Sequence, residues 1–226
     1  MFINRYMIEY YLGTKYVGIF TFAYSLSFSL FLILYIGGLV FQPYLYKSKT
    51  VNESSEKNLL LYTNSMFIFI SIFAFLLWYS FKFIINYYSN DYLSSEESFR
   101  ILMLSILIIP FYHQGNYRLT LKNMTHFLPI ASGLAAISSI ILNLIFIPRY
   151  GIVGAAYSSV ISYLVIMIFT NFISTNIRKL GNSKTIISII FISVIILFYN
   201  GLIHLLPFFL IISVLMAGVE IYSIKN

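Results

Sequence analysis

His113, Gln114, Asn116 and Arg118 fall within six consecutive positions, shortly after Pro110, at the end of an apolar run. An imidazole, two amides and a guanidinium this close together could hold a sugar or a pyrophosphate through hydrogen bonds. Polar residues embedded in apolar segments usually face a bundle interior or a cavity. The plainer alternative is that Arg118 marks a membrane interface and His113 packs. A second polar stripe, Thr21, Ser25 and Ser29, runs beside Tyr24 at the four-residue spacing that shares a helix face. The candidate substrate contacts are therefore Tyr24, Ser25, His113 and Arg118. Little else suggests chemistry. The three histidines, His113, His126 and His204, sit in different segments, and Asp91, Glu96 and Glu97 read as a solvated acidic loop. No metal-ligand spacing, phosphate-cradling glycine loop or nucleophile elbow appears. No catalytic residue, metal or cofactor is expected, and the chain does not read as an enzyme.

The elements that must position these residues are set by composition. The 226 residues are 60% hydrophobic and 9% charged, against about 25% charged in a soluble domain. That deficit excludes a globular core with a solvated surface. An all-α, polytopic membrane helix bundle is expected, with residues 1–226 forming a single transmembrane domain. The net charge of +7 does not point to nucleic acid, because the cations lie in loops between apolar runs. The absence of cysteine excludes a disulfide framework.

A membrane span needs about 20 apolar residues. Seven candidates occur: 17–41, closed by Pro43; 59–85; a third from about Phe99 through Pro110, expected to kink there; 127–147; 152–173; 186–203; and 205–222. Residues 1–16 are polar-aromatic and show no signal-peptide pattern. Lys47, Lys49, Lys57, Arg118, Lys122, Arg178, Lys179, Lys184 and Lys225 gather in alternate loops, whereas the other loops carry Lys82, Arg100 and Arg149 with the acidic residues. The positive-inside bias places the first set, and the C-terminus, in the cytoplasm. An odd number of spans then puts the N-terminus outside, with Arg5 and Lys15 needing to cross. An upstream span or lobe that belongs with this chain is the expectation that removes the conflict.

"LNLIFIPRYGIVGAAYSSVISY", Leu142–Tyr163, interrupts about forty apolar residues with Pro148-Arg149-Tyr150-Gly151. Proline fits badly in a helix interior and glycine turns readily, so these four residues should close a tight helical hairpin. Ala135, Ser139 and Asn143 precede it at four-residue spacing, and Gly154, Ser158 and Ser162 follow it likewise. Small faces of this kind pack helix on helix in lipid. Asn143, Pro148, Gly151, Gly154 and Ser158 are the predicted hairpin residues; a substrate contact through Asn143 or Ser158 is the alternative.

The same stretch resembles the hairpin of Wzx-type polysaccharide flippases, in the superfamily that also holds MATE exporters. The matching residues are Asn143, then Ile147-Pro148-Arg149-Tyr150-Gly151 and Ile152-Val153-Gly154-Ala155-Ala156. "YYLGTKYVGIFTFAYSLS", Tyr10–Ser27, is similar to the segment leading into the second helix of that family's C-terminal lobe, through Leu12-Gly13, Val17-Gly18-Ile19-Phe20 and Ala23-Tyr24. Relatives often carry Lys or Arg after the Ala-Tyr pair, where this chain has Ser25, which puts a cationic phosphate anchor there in doubt. The resemblance implies the C-terminal lobe of a MATE-like, two-lobe transporter in the bacterial cytoplasmic (inner) membrane. It implies flipping of undecaprenyl-pyrophosphate-linked oligosaccharide for O-antigen, capsule or exopolysaccharide synthesis. Its implied partners are the lipid-linked oligosaccharide, membrane lipids, an N-terminal lobe, and a polysaccharide polymerase with its chain-length regulator. A cation-coupled multidrug exporter of MATE type is the alternative, and an integral-membrane polymerase or acyltransferase ranks third.

Overall fold

The computed structural model describes residues 2–47, 53–88 and 90–174. They form α1 (Phe2–Leu12), α2 (Thr14–Phe28), α3 (Phe31–Tyr46), α4 (Glu53–Tyr88), a 3-10 turn (Asn90–Ser95), α5 (Glu96–Leu121) and α6 (Phe127–Ser174). Among the described residues there is no strand. The sixth and seventh predicted spans, with Arg178, Lys179, Lys184 and Lys225, lie outside them.

α5 is the axis of the bundle. Every residue from Ile101 to Phe111 is buried, and a helix apolar all round must be enclosed by others. α2, α4 and α6 enclose it. α4 runs antiparallel to it, because Phe81 stacks on Phe99 at 4.4 Å, Phe67 meets Phe111 at 5.4 Å and Tyr62 meets Tyr117 at 5.7 Å. α2 and α3 run parallel to α5: the Ser27 hydroxyl donates to the Phe99 carbonyl at 3.3 Å, and Tyr46 lies edge-on to Tyr117 at 5.5 Å. α5 ends where Asn123 takes φ 57°. The Asn123 amide then donates to Thr120 and the Met124 amide to Leu119, at 3.0 and 2.8 Å, which satisfies two otherwise orphaned carbonyls.

The 48 residues of α6 would reach about 72 Å if straight, more than twice a hydrocarbon core of about 30 Å. Gly151, at φ 61° and ψ −139°, divides them into two arms, 127–150 and 152–174. That conformation is the glycine-favouring first position of a type II′ turn. The arms return antiparallel: Ser158 donates to Asn143 at 2.5 Å, and Ser138 lies 3.3 Å from Ser162. A Cβ placed on Gly154 would sit 2.5 Å from the carbonyl carbon of Phe146. The small residues thus let one backbone approach the other.

By length and composition, Thr14–Tyr44, Asn58–Phe81 and Phe127–Ser174 can each cross a membrane. Ile137, Ile141, Leu144, Phe69, Leu76 and Phe83 are exposed on the outside, as lipid-facing residues would be. The described residues are therefore all-helical apart from short turns, and compatible with a membrane location. Lys47, Arg118 and Lys122 come to one end of the bundle, and Asp91, Glu96, Glu97, Arg100 and Arg149 to the other, as the alternation of helix directions requires.

Two expectations, at Pro43 and at Pro148–Gly151, are corrected. α3 continues through Pro43 to Tyr46, and the first apolar run breaks instead at Ser29–Leu30, between α2 and α3. The third expected span is the continuous helix α5, with Pro110 inside it. Pro148, Arg149 and Tyr150 remain helical, so Gly151 alone makes the turn. Residues 2–12, ahead of the first expected span, make α1, which packs on α6 and α2. Leaving a helix inside hydrocarbon would strand several backbone groups at several kcal/mol each. That exceeds the cost of one interior proline, about 3 kcal/mol.

Candidate functional site

A half-open cleft of about 170 Å³ lies between α3 and α5. Phe31, Leu34, Tyr35, Gly38, Leu39, Gln42 and Tyr46 wall it from α3, at the spacing of one helix face. His113, Asn116 and Tyr117 wall it from α5. The Tyr117 ring meets Tyr46 at 5.5 Å and Tyr62 at 5.7 Å, edge-on to both. Asn116 Nδ2 is 3.5 Å from the Tyr112 hydroxyl. The His113 ring lies between Tyr112 and Tyr117, with centroids 5.4 and 6.2 Å away. This wall combines aromatic faces with two amides and an imidazole, and no Lys, Arg, Asp or Glu lines it. Such a surface suits an uncharged ligand with apolar faces and several hydroxyls.

Arg118 is elsewhere. Its side chain is 10% exposed and turned to α4, where Nε lies 3.0 Å from both carboxylate oxygens of Glu56 and Nη2 lies 2.7 Å from Oε2. Nη1 reaches Asn171 Oδ1 at 3.5 Å, and Asn171 Nδ2 donates to the Phe111 carbonyl at 2.9 Å. One guanidinium therefore ties α4, α5 and α6 together. Its charge is matched by Glu56. Lys122, one turn on, donates to the Ser174 carbonyl.

The other two predicted contacts also separate. Tyr24 is buried against Phe20 and Phe28, whereas Ser25 is exposed. Neither lines the cleft, so His113 alone of the four predicted contacts does.

The hairpin residues do come together, around a residue that carried no signal. Asn4 of α1 is 4% exposed and inserts between the arms of α6. The hydrogen bonds run in one direction. Ser158 donates to Asn143 Oδ1, Asn143 Nδ2 donates to Asn4 Oδ1 at 2.8 Å, Asn4 Nδ2 donates to Ser159 Oγ at 2.8 Å, and Ser159 donates to the Ala155 carbonyl at 2.9 Å. Ser139 adds a bond to Asn4 Oδ1 at 3.3 Å. Both Asn143 and Ser158 are 0% exposed, so these two residues join helices from within the hairpin.

No protein-family model matches the chain, and neither the curated proteins nor the solved structures yield a match.

Sequence reasoning missed Gln42, Tyr46, Tyr117, Glu56 and Asn171 as well as Asn4. A usable signal existed for Glu56: with Glu53, it is an acid in the same loop set as Arg118, on the side where the cations gather. Gln42 carried a fainter one, as an amide four residues after Gly38 at the end of an apolar run.

Proposed function

We propose that this chain is one lobe of an alternating-access flippase for undecaprenyl-pyrophosphate-linked oligosaccharide repeat units. It acts in the bacterial inner membrane, with the Lys47 and Lys122 end and the C-terminus in the cytoplasm. An N-terminal lobe faces it across the substrate path, and a polymerase with its chain-length regulator takes up the flipped unit. The observation that carries this reading is the cleft between α3 and α5. A hydrophilic glycan crossing about 30 Å of hydrocarbon needs a polar wall at membrane depth, because bare polar groups there cost several kcal/mol. Gln42, His113, Asn116 and the tyrosine hydroxyls furnish such a wall, and the aromatic rings beside them suit the apolar faces of sugar rings. The family resemblance of Tyr10–Ser27 and Leu142–Tyr163 supports the same reading. The pyrophosphate is met by the opposite lobe, since Arg118 is held by Glu56.

Export in a flippase-deleted strain tests the proposal. The chain joined to its N-terminal lobe should restore surface polysaccharide, and the chain alone should not. Asn116→Leu with Gln42→Leu in the joined protein should lower export about tenfold, the effect of losing about one net hydrogen bond, with protein abundance unchanged. Undiminished export by that variant would remove the cleft from the path. Full export by the chain alone would overturn the half-transporter reading.

A further inference from the structure

Two amides are buried between the helices of the bundle without complete partners. Asn64 of α4 is 3% exposed and Gln114 of α5 is 2% exposed. The Nδ2 of Asn64 and the Oε1 of Gln114 each make no hydrogen bond. Unpaired buried polar atoms are rare, and each calls for a cause.

The register of the two helices places these atoms at one level. Phe67 of α4 packs on Phe111 of α5. Asn64 precedes Phe67 by three residues and Gln114 follows Phe111 by three, so each shares a helix face with its phenylalanine. Because α4 and α5 are antiparallel, both amides lie one turn from the phenylalanine pair and toward the same end. Further along in that direction come Arg118 and Glu56, already paired with each other. The two orphans thus occupy a polar layer between an aromatic pair and a closed ion pair. One is a donor and the other an acceptor, and they are not bonded to each other.

We propose that a water molecule sits in this layer, accepting from Asn64 Nδ2 and donating to Gln114 Oε1. Water is the small ligand that matches both unmet demands at once. A metal cation would satisfy Gln114 Oε1 but would face the amide hydrogens of Asn64, and the nearest carboxylate on this face, Glu56, is neutralised by Arg118. The water makes the α4–α5 seam a mediated contact at this level, in a layer otherwise sealed by Phe67 and Phe111. This inference rests on the helix pair alone and stands apart from the transport reading.

A crystal structure of the full chain grown in a lipidic mesophase, at a resolution that shows water, tests it. The expected result is a density peak about 2.7–3.2 Å from both amide atoms. Direct contact between the two amides, or no peak between them, overturns the proposal. Thermal unfolding in nanodiscs gives a second measurement. Asn64→Leu and Gln114→Met should each lower the midpoint by about 5 °C, because each strands the water and the surviving amide. The double variant should fall no further than the worse single one, since it removes both demands together. A double variant that falls by the sum of the two would also overturn it. Should the variants fail to fold, the density decides.

Discussion

The carbonyl of Phe146 occupies the space in which a side chain on Gly154 would begin. The contact lies one turn from the apex of the α6 hairpin, where the arms have least room to separate. Any Cβ at 154 must therefore push backbone against backbone. Gly154→Ala should cost about 1–3 kcal/mol and Gly154→Leu more. Val165→Leu, on the same arm but only half-buried, should be nearly silent. Monodisperse yield by fluorescence-detected size exclusion, with the melting midpoint, checks this. Equal yields for Gly154→Leu and Val165→Leu would contradict it.

The apex itself should be intolerant for a different reason. Gly151 holds a positive φ that disfavours side chains, so Gly151→Ala should lose about 1–3 kcal/mol although its nearest neighbour, Leu12 Cδ1, is 3.9 Å from the added carbon. Pro148→Ala, three residues earlier within the helix, should be neutral or stabilising, because it restores a backbone donor. Thermal unfolding of the two variants side by side decides between a glycine-made and a proline-made turn.

Arg118→Ala should act through abundance. Glu56 is a third exposed, so removing its partner should cost about 1–3 kcal/mol, less than a fully buried pair. Arg118→Lys should recover little, because an ammonium cannot reproduce the fork to two carboxylate oxygens. Glu56→Gln with Arg118→Met should be milder than Arg118→Ala alone. The cell content of full-length protein, compared with export per molecule, separates this helix-joining role from substrate contact.

Opposite ends of the bundle should be labelled differently in intact cells. The chain has no native cysteine, and Ser94 and Thr125 are both exposed, near the two ends of α5. A membrane-impermeant maleimide should modify Ser94→Cys and leave Thr125→Cys unmodified until the cells are opened. The reverse pattern would invert the proposed orientation.

Much of the architecture was legible because hydrophobic run length is a strong signal. The runs from 17, 59, 99, 127 and 152 all fall on helices, and the small faces of Leu142–Tyr163 do meet. The signal failed at prolines. Pro43 and Pro148 were given the breaking power they have in water, yet both lie inside helices. It failed again at α1, whose 11 residues are held by tertiary contact to α6 rather than by their own pattern. The site was less legible than the fold. His113 was found because a polar residue in an apolar run stands out. The fate of Arg118 depended on Glu56, 62 residues away, and pairing at that distance follows from helix register, which no local window contains.

Time enters through Asn4. Its partner Asn143 lies 139 residues further along the chain, which at roughly 5–20 residues per second is about 7–28 s of synthesis. Through that interval a buried amide has none of the neighbours that later satisfy it, while helices on every side of α5 are being laid down. The insertion machinery must therefore keep α1 near water or protein until the last hairpin arrives. The clasp joins the first described helix to the last.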